Sequence, residues 1–462
     1  MKLFRLRPFE TGTAEGRSQE RYRRAALTAI SSGMVKAVMA LTLFVSVPLT
    51  LHYLGTERYG LWMTISAVIG VLGFSDLGIN NSLMNGIAKA NGRDDQQLAK
   101  EYVSSAFFLL TLVALCLGIA FAIAYPWIPW GTFFRVQSPQ ALAEAGPAVA
   151  VFAACFLLSI PAGIVSRVQA GYQEGLAANL WAAFGSIFAL LFLLVVIHLR
   201  GSLSFLVLAM AGAPILALAL NSVVQFCIRR PWLFPSWRSV KAVVLKNLLR
   251  LGFLFLILQL GGAIAFSSDN IVIARILGPE AVTQYSVPSR LFSLVTLASS
   301  FIVAPLWPAY GEALERRDDA WIRRTLLRSL LIVTGVSVAI SAVLVTFGSV
   351  IIRLWVGQSI HPSTFLLVAL GLWGVLSSIS STVAVFLNGL SVVRFQVIIA
   401  VIGAFMNIVL SVYLTRRIGI PGVICGSIVS QVLVTGFPYF WYVQRYIKNG
   451  LPAQRVTVDE KF

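Results

Sequence analysis

Five residues carry charge or a side-chain amide where the surrounding chain is apolar: Lys36, Asp76, Asn80, Asp269 and Arg290. They are the candidate substrate-binding residues. A lysine at mid-bilayer costs about 2.5–3.5 kcal/mol if it faces lipid, so Lys36 must meet something polar. It can meet an anionic headgroup in a lumen, or it can pair or snorkel towards an interface; both readings stand. Asp269, with Asn270 beside it, and Arg290 fall in neighbouring apolar runs. The plain reading is an ion pair between them. The sharper one is a lumen-facing pair that changes partners during transport. Asp76, with Asn80 and Asn81 just beyond, closes an apolar run, where a helix cap is favoured over a cavity-facing carboxylate. Arg167 reads as interfacial.

Soluble-site chemistry is missing from the sequence. No Gly-Lys dipeptide occurs, which removes the phosphate-binding loop of an ATPase motor. Neither HExxH nor CxxC is present, and His52, His198 and His361 are scattered. Cys116, Cys155, Cys227 and Cys425 are far apart and match no zinc spacing. The chain therefore reads as no enzyme, with no cofactor and no metal.

The elements that position the five residues follow from hydropathy. Of 462 residues 58% are hydrophobic and 12% charged, and the mean hydropathy is +0.84. The apolar residues fall in long blocks, each reaching the ~20 residues that cross a ~30 Å hydrocarbon core. Twelve runs are expected: Ala25–Tyr53, Tyr59–Ile79, Val103–Tyr125, Pro147–Val168, Asn179–Leu199, Leu203–Cys227, Leu248–Leu277, Val282–Pro305, Leu326–Val350, Thr364–Leu387, Phe395–Leu414 and Pro421–Tyr446. The first begins too late and runs too long for a cleavable signal, so it reads as a retained helix. The fold class is all-α and polytopic. Two mixed-charge loops, 81–102 and 308–324, read as short surface helices with a solvated face.

The formal charge of +18 sits mostly in the loops. On the side shared by the two termini, 27 of the 36 Lys and Arg residues lie in or beside the loops and tails, against 7 on the other side. The positive-inside rule then places both termini in the cytoplasm and makes nucleic-acid binding an unneeded explanation. Tyr125, Trp127 and Trp130, and Tyr439, Trp441 and Tyr442, mark headgroup levels at span ends.

An internal repeat divides the chain. Leu54-Gly55-Thr56-Glu57 follows the first run and Leu277-Gly278-Pro279-Glu280 the seventh, 223 positions later. Gly171 and Gly389 open the fifth and eleventh runs 218 positions apart, and at that offset Ala182 meets Ala400 and Gly185 meets Gly403. The expected parts are a tail at 1–24, six helices in 25–230, a linker at 231–247, six helices in 248–446 and a tail at 447–462. Six being even, the halves share an orientation, with a substrate path between them.

The turn Leu54-Gly-Thr-Glu-Arg-Tyr-Gly-Leu-Trp62, the stretch Phe74-Ser-Asp-Leu-Gly-Ile79 and the stretch Asp269…Leu277-Gly278…Tyr285…Arg290 resemble the polysaccharide biosynthesis flippases. These are O-antigen and exopolysaccharide repeat-unit translocases of the MOP superfamily, and the resemblance covers essentially the whole chain. It implies a MATE-like, V-shaped pair of six-helix bundles around a cationic cavity. It implies translocation of a polyprenyl-pyrophosphate-linked oligosaccharide across the bacterial inner membrane by alternating access. The implied partners are that lipid-linked substrate, membrane lipids, a polysaccharide polymerase and chain-length or export proteins. The alternatives are an ion-coupled small-molecule (multidrug) exporter of the same superfamily, and a non-transporting scaffold for glycan synthesis.

Overall fold

A computed structural model describes residues 9–10, 12–71, 75–134, 136–356 and 361–449. Phe74, and the parts of the two tails at 1–8, 11 and 450–462, lie outside the described residues. Backbone clustering divides the chain into unit 1, Met1–Leu256, and unit 2, Ile257–Phe462.

Unit 1 begins with α1, Ala14–Val71, which is two helices run together across a turn at Gly55. Then come α2 (Ile79–Gly92), α3 (Gln96–Ala124), α4 (Trp130–Phe133), α5 (Pro139–Ala162), α6 (Ile164–Gly171) and α7 (Gly175–His198). Next are α8 (Leu203–Val207) and α9 (Ala213–Val223), joined by a π-helical stretch, Leu208–Gly212. The division between the units falls inside α10, Ala242–Leu277. Unit 2 continues with α11 (Pro279–Val303), α12 (Leu306–Glu315), α13 (Asp319–Val356), α14 (Thr364–Gly389), α15 (Val393–Ile418), α16 (Pro421–Ser430) and α17 (Phe437–Asn449). A π-helical stretch, Gln431–Gly436, joins α16 to α17. Among the described residues, ten helical stretches are long and apolar enough to span a bilayer, from Gln96–Trp127 to Pro421–Lys448. These ten correspond to the third to twelfth expected runs; α1 holds the first expected run and the second as far as Val71.

The repeat is built into the backbone. Gly55 and Gly278 both leave the helix with positive φ and extended ψ (72° and 172°; 90° and 169°), a conformation open to glycine. At the same offset of 223, Asp94 and Arg317 end α2 and α12 in the left-handed region, each with φ 53°. Both ends close the same way: Asp95 N–H reaches the Ala90 carbonyl at 2.9 Å, and Asp318 N–H reaches Ala313 at 2.9 Å. Asp95 and Asp318 then start the next helix alike, their carboxylates accepting from Leu98 N–H and Trp321 N–H. At the offset of 218, Gln173 and Ser391 end α6 and α14 with φ of 59° and 58°.

Packing obeys the repeat as well. A Cβ on Gly171 would lie 2.7 Å from Ile87 Cβ and 3.0 Å from the Met84 carbonyl. One on Gly389 would lie 2.6 Å from Tyr310 Cβ and 2.8 Å from the Trp307 carbonyl. Ile87 and Tyr310, and Met84 and Trp307, are themselves 223 positions apart. Between helices in lipid no hydrophobic drive remains, so this close backbone approach supplies the contact energy.

The two mixed-charge loops are not merely surface helices. Ile79, Leu83 and Ile87 of α2 are fully buried in the core of unit 1, against Val103, Leu110 and Val168. In α12, Ala309, Tyr310 and Ala313 are fully buried. An apolar residue every three or four positions turns one side of each helix inward, and in α12 Glu312 is buried too, paired with Arg316 at 3.0 Å.

At the basic end of unit 1, the first turns of α1 are tied down by Glu20. Its carboxylate accepts from Arg23 (2.6 and 2.7 Å), Arg24 (2.8 Å) and the Phe9 N–H (3.0 Å), and Arg24 also reaches the Tyr172 carbonyl at 3.1 Å. Burial works to raise the pKa of Glu20, and the bonds from Arg23, Phe9 and Arg24 outweigh it, leaving the pKa at about 2. A depressed folded value gives stability that is complete above the unfolded value and fades as pH falls to the folded one. Amide exchange in residues 14–24 is therefore flat from pH 7 to about 5 and, corrected for intrinsic rates, rises as pH falls from about 4.5 towards 2. Glu20→Gln shows the fast exchange already at pH 7.

Candidate functional site

The site in unit 1 starts from the turn into α2. Leu77 and Gly78 are consecutive residues with positive φ, 50° and 70°. Gly78 lies so close to α10 that a Cβ there would strike the Gly252 carbonyl, with Leu256 N 2.9 Å away. Asp76 holds this turn: one carboxylate oxygen accepts the Gly78 N–H at 3.0 Å, and its carbonyl accepts the Ile79 N–H at 2.9 Å. This is a turn bond ahead of α2: the N-cap residue of that helix is Gly78, and no side chain caps it. The turn bond uses one oxygen and leaves the negative charge intact.

That charge acts on Arg167. Asp76 and Arg167 interact electrostatically, across the packing of α2 against α6. Arg167 is exposed, and among the described residues it donates no hydrogen bond and makes no close ion pair. Its planar group keeps five N–H donors available, the geometry that grips a phosphate two bonds at a time. The interfacial reading of Arg167 missed this neighbour. Asn80, the second residue of α2, has its side-chain oxygen buried with no partner among the described residues. Lys36 is exposed on α1, one turn past Ser32, whose hydroxyl accepts from Asn179 at 2.8 Å.

In unit 2 the expected Asp269–Arg290 pair does not form. Asp269 instead accepts a 2.7 Å hydrogen bond from the Tyr285 hydroxyl, and both residues are buried. Helix geometry explains the choice. Asp269 lies nine residues before the Gly278 turn and Tyr285 seven after it, so the antiparallel helices bring them to one height. Arg290 is five residues further on, about 7.5 Å along the axis and roughly 140° around it. It is exposed, as is Asn270, and among the described residues Arg290 makes no ion pair. The second oxygen of Asp269 is buried without a partner. The pairing was readable by counting from the turn.

Sequence reasoning also passed over the buried amides. Gln169 of α6 and Asn221 of α9 exchange two hydrogen bonds, 2.7 and 3.0 Å. Asn407 of α15 accepts from Ser411 at 2.8 Å and Ser427 of α16 at 3.3 Å. Each is a polar side chain in an apolar run, which is the available signal; the structure shows them joining helices within one unit.

The polysaccharide biosynthesis protein family matches residues 26–314, and the MatE family matches residues 256–413. A Salmonella typhimurium protein named for O-antigen transport is 23% identical over 428 residues, 90% of this chain and 94% of that one. A Yersinia pseudotuberculosis protein named for O-antigen export is 22% identical over 419 residues, 88% and 93% of the two chains. Among solved structures, a MATE protein in a bent conformation superposes with a TM-score of 0.77 at 18% identity, covering 94% of this chain and 97% of that one. A MOP superfamily transporter from Pyrococcus furiosus gives 0.76 at 16% identity, with the same coverage. The solved structures show the fold, and the family match covers well over half of the sequence. The chain belongs to the polysaccharide biosynthesis protein family.

Proposed function

We propose that the protein is a flippase for a polyprenyl-pyrophosphate-linked oligosaccharide repeat unit, working by alternating access in the bacterial inner membrane with both termini in the cytoplasm. The observation that carries this reading is a pair of arginines in apolar helices, Arg167 and Arg290, both exposed and neither engaged in a close ion pair among the described residues. Cations that make no hydrogen bond and no close ion pair in such a setting are expensive unless an anion visits them. A pyrophosphate supplies that anion, and Arg matches it bidentately. Lys36 is a further exposed cation, one that already engages a neighbour, and Asp76 and Asn80 offer an acceptor and an amide to sugar hydroxyls. The O-antigen names of the two relatives agree with this cargo. Glycan polymerase and chain-length or export proteins would then be its working partners.

The test is complementation. A bacterium lacking its own O-antigen flippase, supplied with this chain, regains lipopolysaccharide glycan and stops accumulating the lipid-linked repeat unit on the cytoplasmic side. Correctly inserted protein that restores neither, in hosts making several different repeat units, rejects the reading.

A second reading has its own support. The MatE match spans 256–413, and Asp269 inside it keeps one buried oxygen without a partner. A carboxylate so placed suits an ion-coupled exporter of small molecules. Drug efflux that depends on Asp269, in place of glycan export, would favour it.

A further inference from the structure

Between α9 and α10 the chain runs along the basic end of unit 1 as a strap, 230–241, with two short 3-10 turns. It is fastened at three points. Leu233 is fully buried in the unit 1 core. The Ser236 N–H donates to Ser104 at 3.1 Å, and the Lys241 N–H donates to Ser105 at 3.4 Å. Both serines are completely buried and adjacent on α3. A strap held this way has a fixed outer face.

That face is both aromatic and cationic. Phe234 is 56% exposed and Trp237 71%, the latter propped edge-on against Phe108 with ring centres 4.9 Å apart. Val243, in the first turn of α10, is 72% exposed. Arg238, Lys241 and Lys246 stand exposed among them. Nothing nearby in sequence neutralises them: from Gly175 to Ser268 the sequence contains no Asp or Glu. Glu174, just before that stretch, is occupied by Arg230 at 2.7 Å.

Basic residues alone would satisfy the orientation rule for a loop. They do not require Trp and Phe to be held outward by an anchored backbone. Indole and phenyl rings favour the headgroup level, and lysine and arginine favour anionic lipid there. We propose that the 230–246 strap is a docking site for anionic phospholipid, with its aromatic rings inserted among the headgroups and Arg238, Lys241 and Lys246 holding the phosphates. The site is separate from the Arg167 region and stands whether or not the cargo is a lipid-linked glycan.

The probes are dioleoyl phosphatidylglycerol and dioleoyl phosphatidylcholine, titrated onto the purified full-length chain and counted by native mass spectrometry. Each exposed cation contributes about fivefold to affinity for an anionic surface at low salt. The triple variant R238Q/K241Q/K246Q is expected to lose about a hundredfold in phosphatidylglycerol affinity and to bind phosphatidylcholine as before. W237A is expected to weaken both lipids together. If the triple variant aggregates, raising salt on the parent chain from ~0.05 to ~0.5 M reads the same contact, because it screens surface charge. Equal phosphatidylglycerol binding by parent and triple variant, or binding indifferent to salt, overturns the proposal. Complementation by the triple variant reports separately on the cargo.

Discussion

Arg167→Gln, inserted and folded like the parent, lowers glycan export by about 10- to 100-fold. The size follows from one charge-assisted contact to a phosphate, about 1.5–3 kcal/mol. Glutamine keeps length and polarity and removes the cation and its fork. Lysine restores the charge without the planar donors, so Arg167→Lys recovers only part of the rate. The informative partner is Asp76. Its side chain accepts the Gly78 N–H and its charge acts on Arg167. Asparagine can still accept that N–H, so Asp76→Asn keeps the turn and removes the charge. With the carboxylate gone, Arg167 should bind a phosphate more tightly, and Asp76→Asn should retain export with a lower apparent KM. If Arg167 were merely the structural counterion of Asp76, Arg167→Gln would be rescued by Asp76→Asn. The double variant, assayed for repeat-unit translocation, separates the two cases.

How much of this was legible in the sequence varies with range along the chain. The spans were, because a bilayer imposes a length and a polarity that loop charges can check. The repeat was, through Leu-Gly turns whose φ only glycine adopts easily. The mixed-charge loops form the short helices expected, but their character is not merely solvated; the buried side is easy to miss because their charges are conspicuous and their apolar spacing is not: Leu83, Ile87 and Ala90 lie three or four apart and all turn inward. Asp269 was paired by charge, and the structure pairs it by height, since Tyr285 and not Arg290 faces it across the Gly278 turn. The link from Asp76 to Arg167 spans 91 positions and depends on how α2 meets α6. No local pattern encodes that distance. The strap at 230–241, expected as a plain linker, gave no warning that Ser104 and Ser105 would hold it, because a serine in an apolar helix looks the same whether or not it bonds a neighbour.

The stability of unit 2 gives the sharpest structural expectation. Gly422 and Gly426 are one turn apart on α16, and both meet the backbone of α15. A Cβ on Gly426 would lie 2.6 Å from Ser411 N and 2.8 Å from Ser411 Cα. No rotamer can relieve a clash with backbone, so Gly426→Val must push the helices apart. The separation also strains the hydrogen bonds that cross the pair: Ser411 to the Val423 carbonyl at 3.2 Å and Ser427 to Asn407 at 3.3 Å. Overpacking at this level costs about 3 kcal/mol, with about 0.6 kcal/mol more for each interhelical bond lost. With both bonds lost the total is about 4 kcal/mol, and for a unit of this size that is a fall in melting temperature of about 8–17 °C. Gly335→Val is the matched control, because a Cβ at Gly335 of α13 meets nothing within 4 Å. It changes chain entropy and side-chain volume without closing on any neighbour, and should melt within about 2 °C of the parent. A thermal scan of both variants in the same detergent decides the point. Equal melting of the two would mean that the α15–α16 contact contributes nothing to the fold. A loss confined to Gly426→Val would place the stability of unit 2 in that one backbone-to-backbone seam.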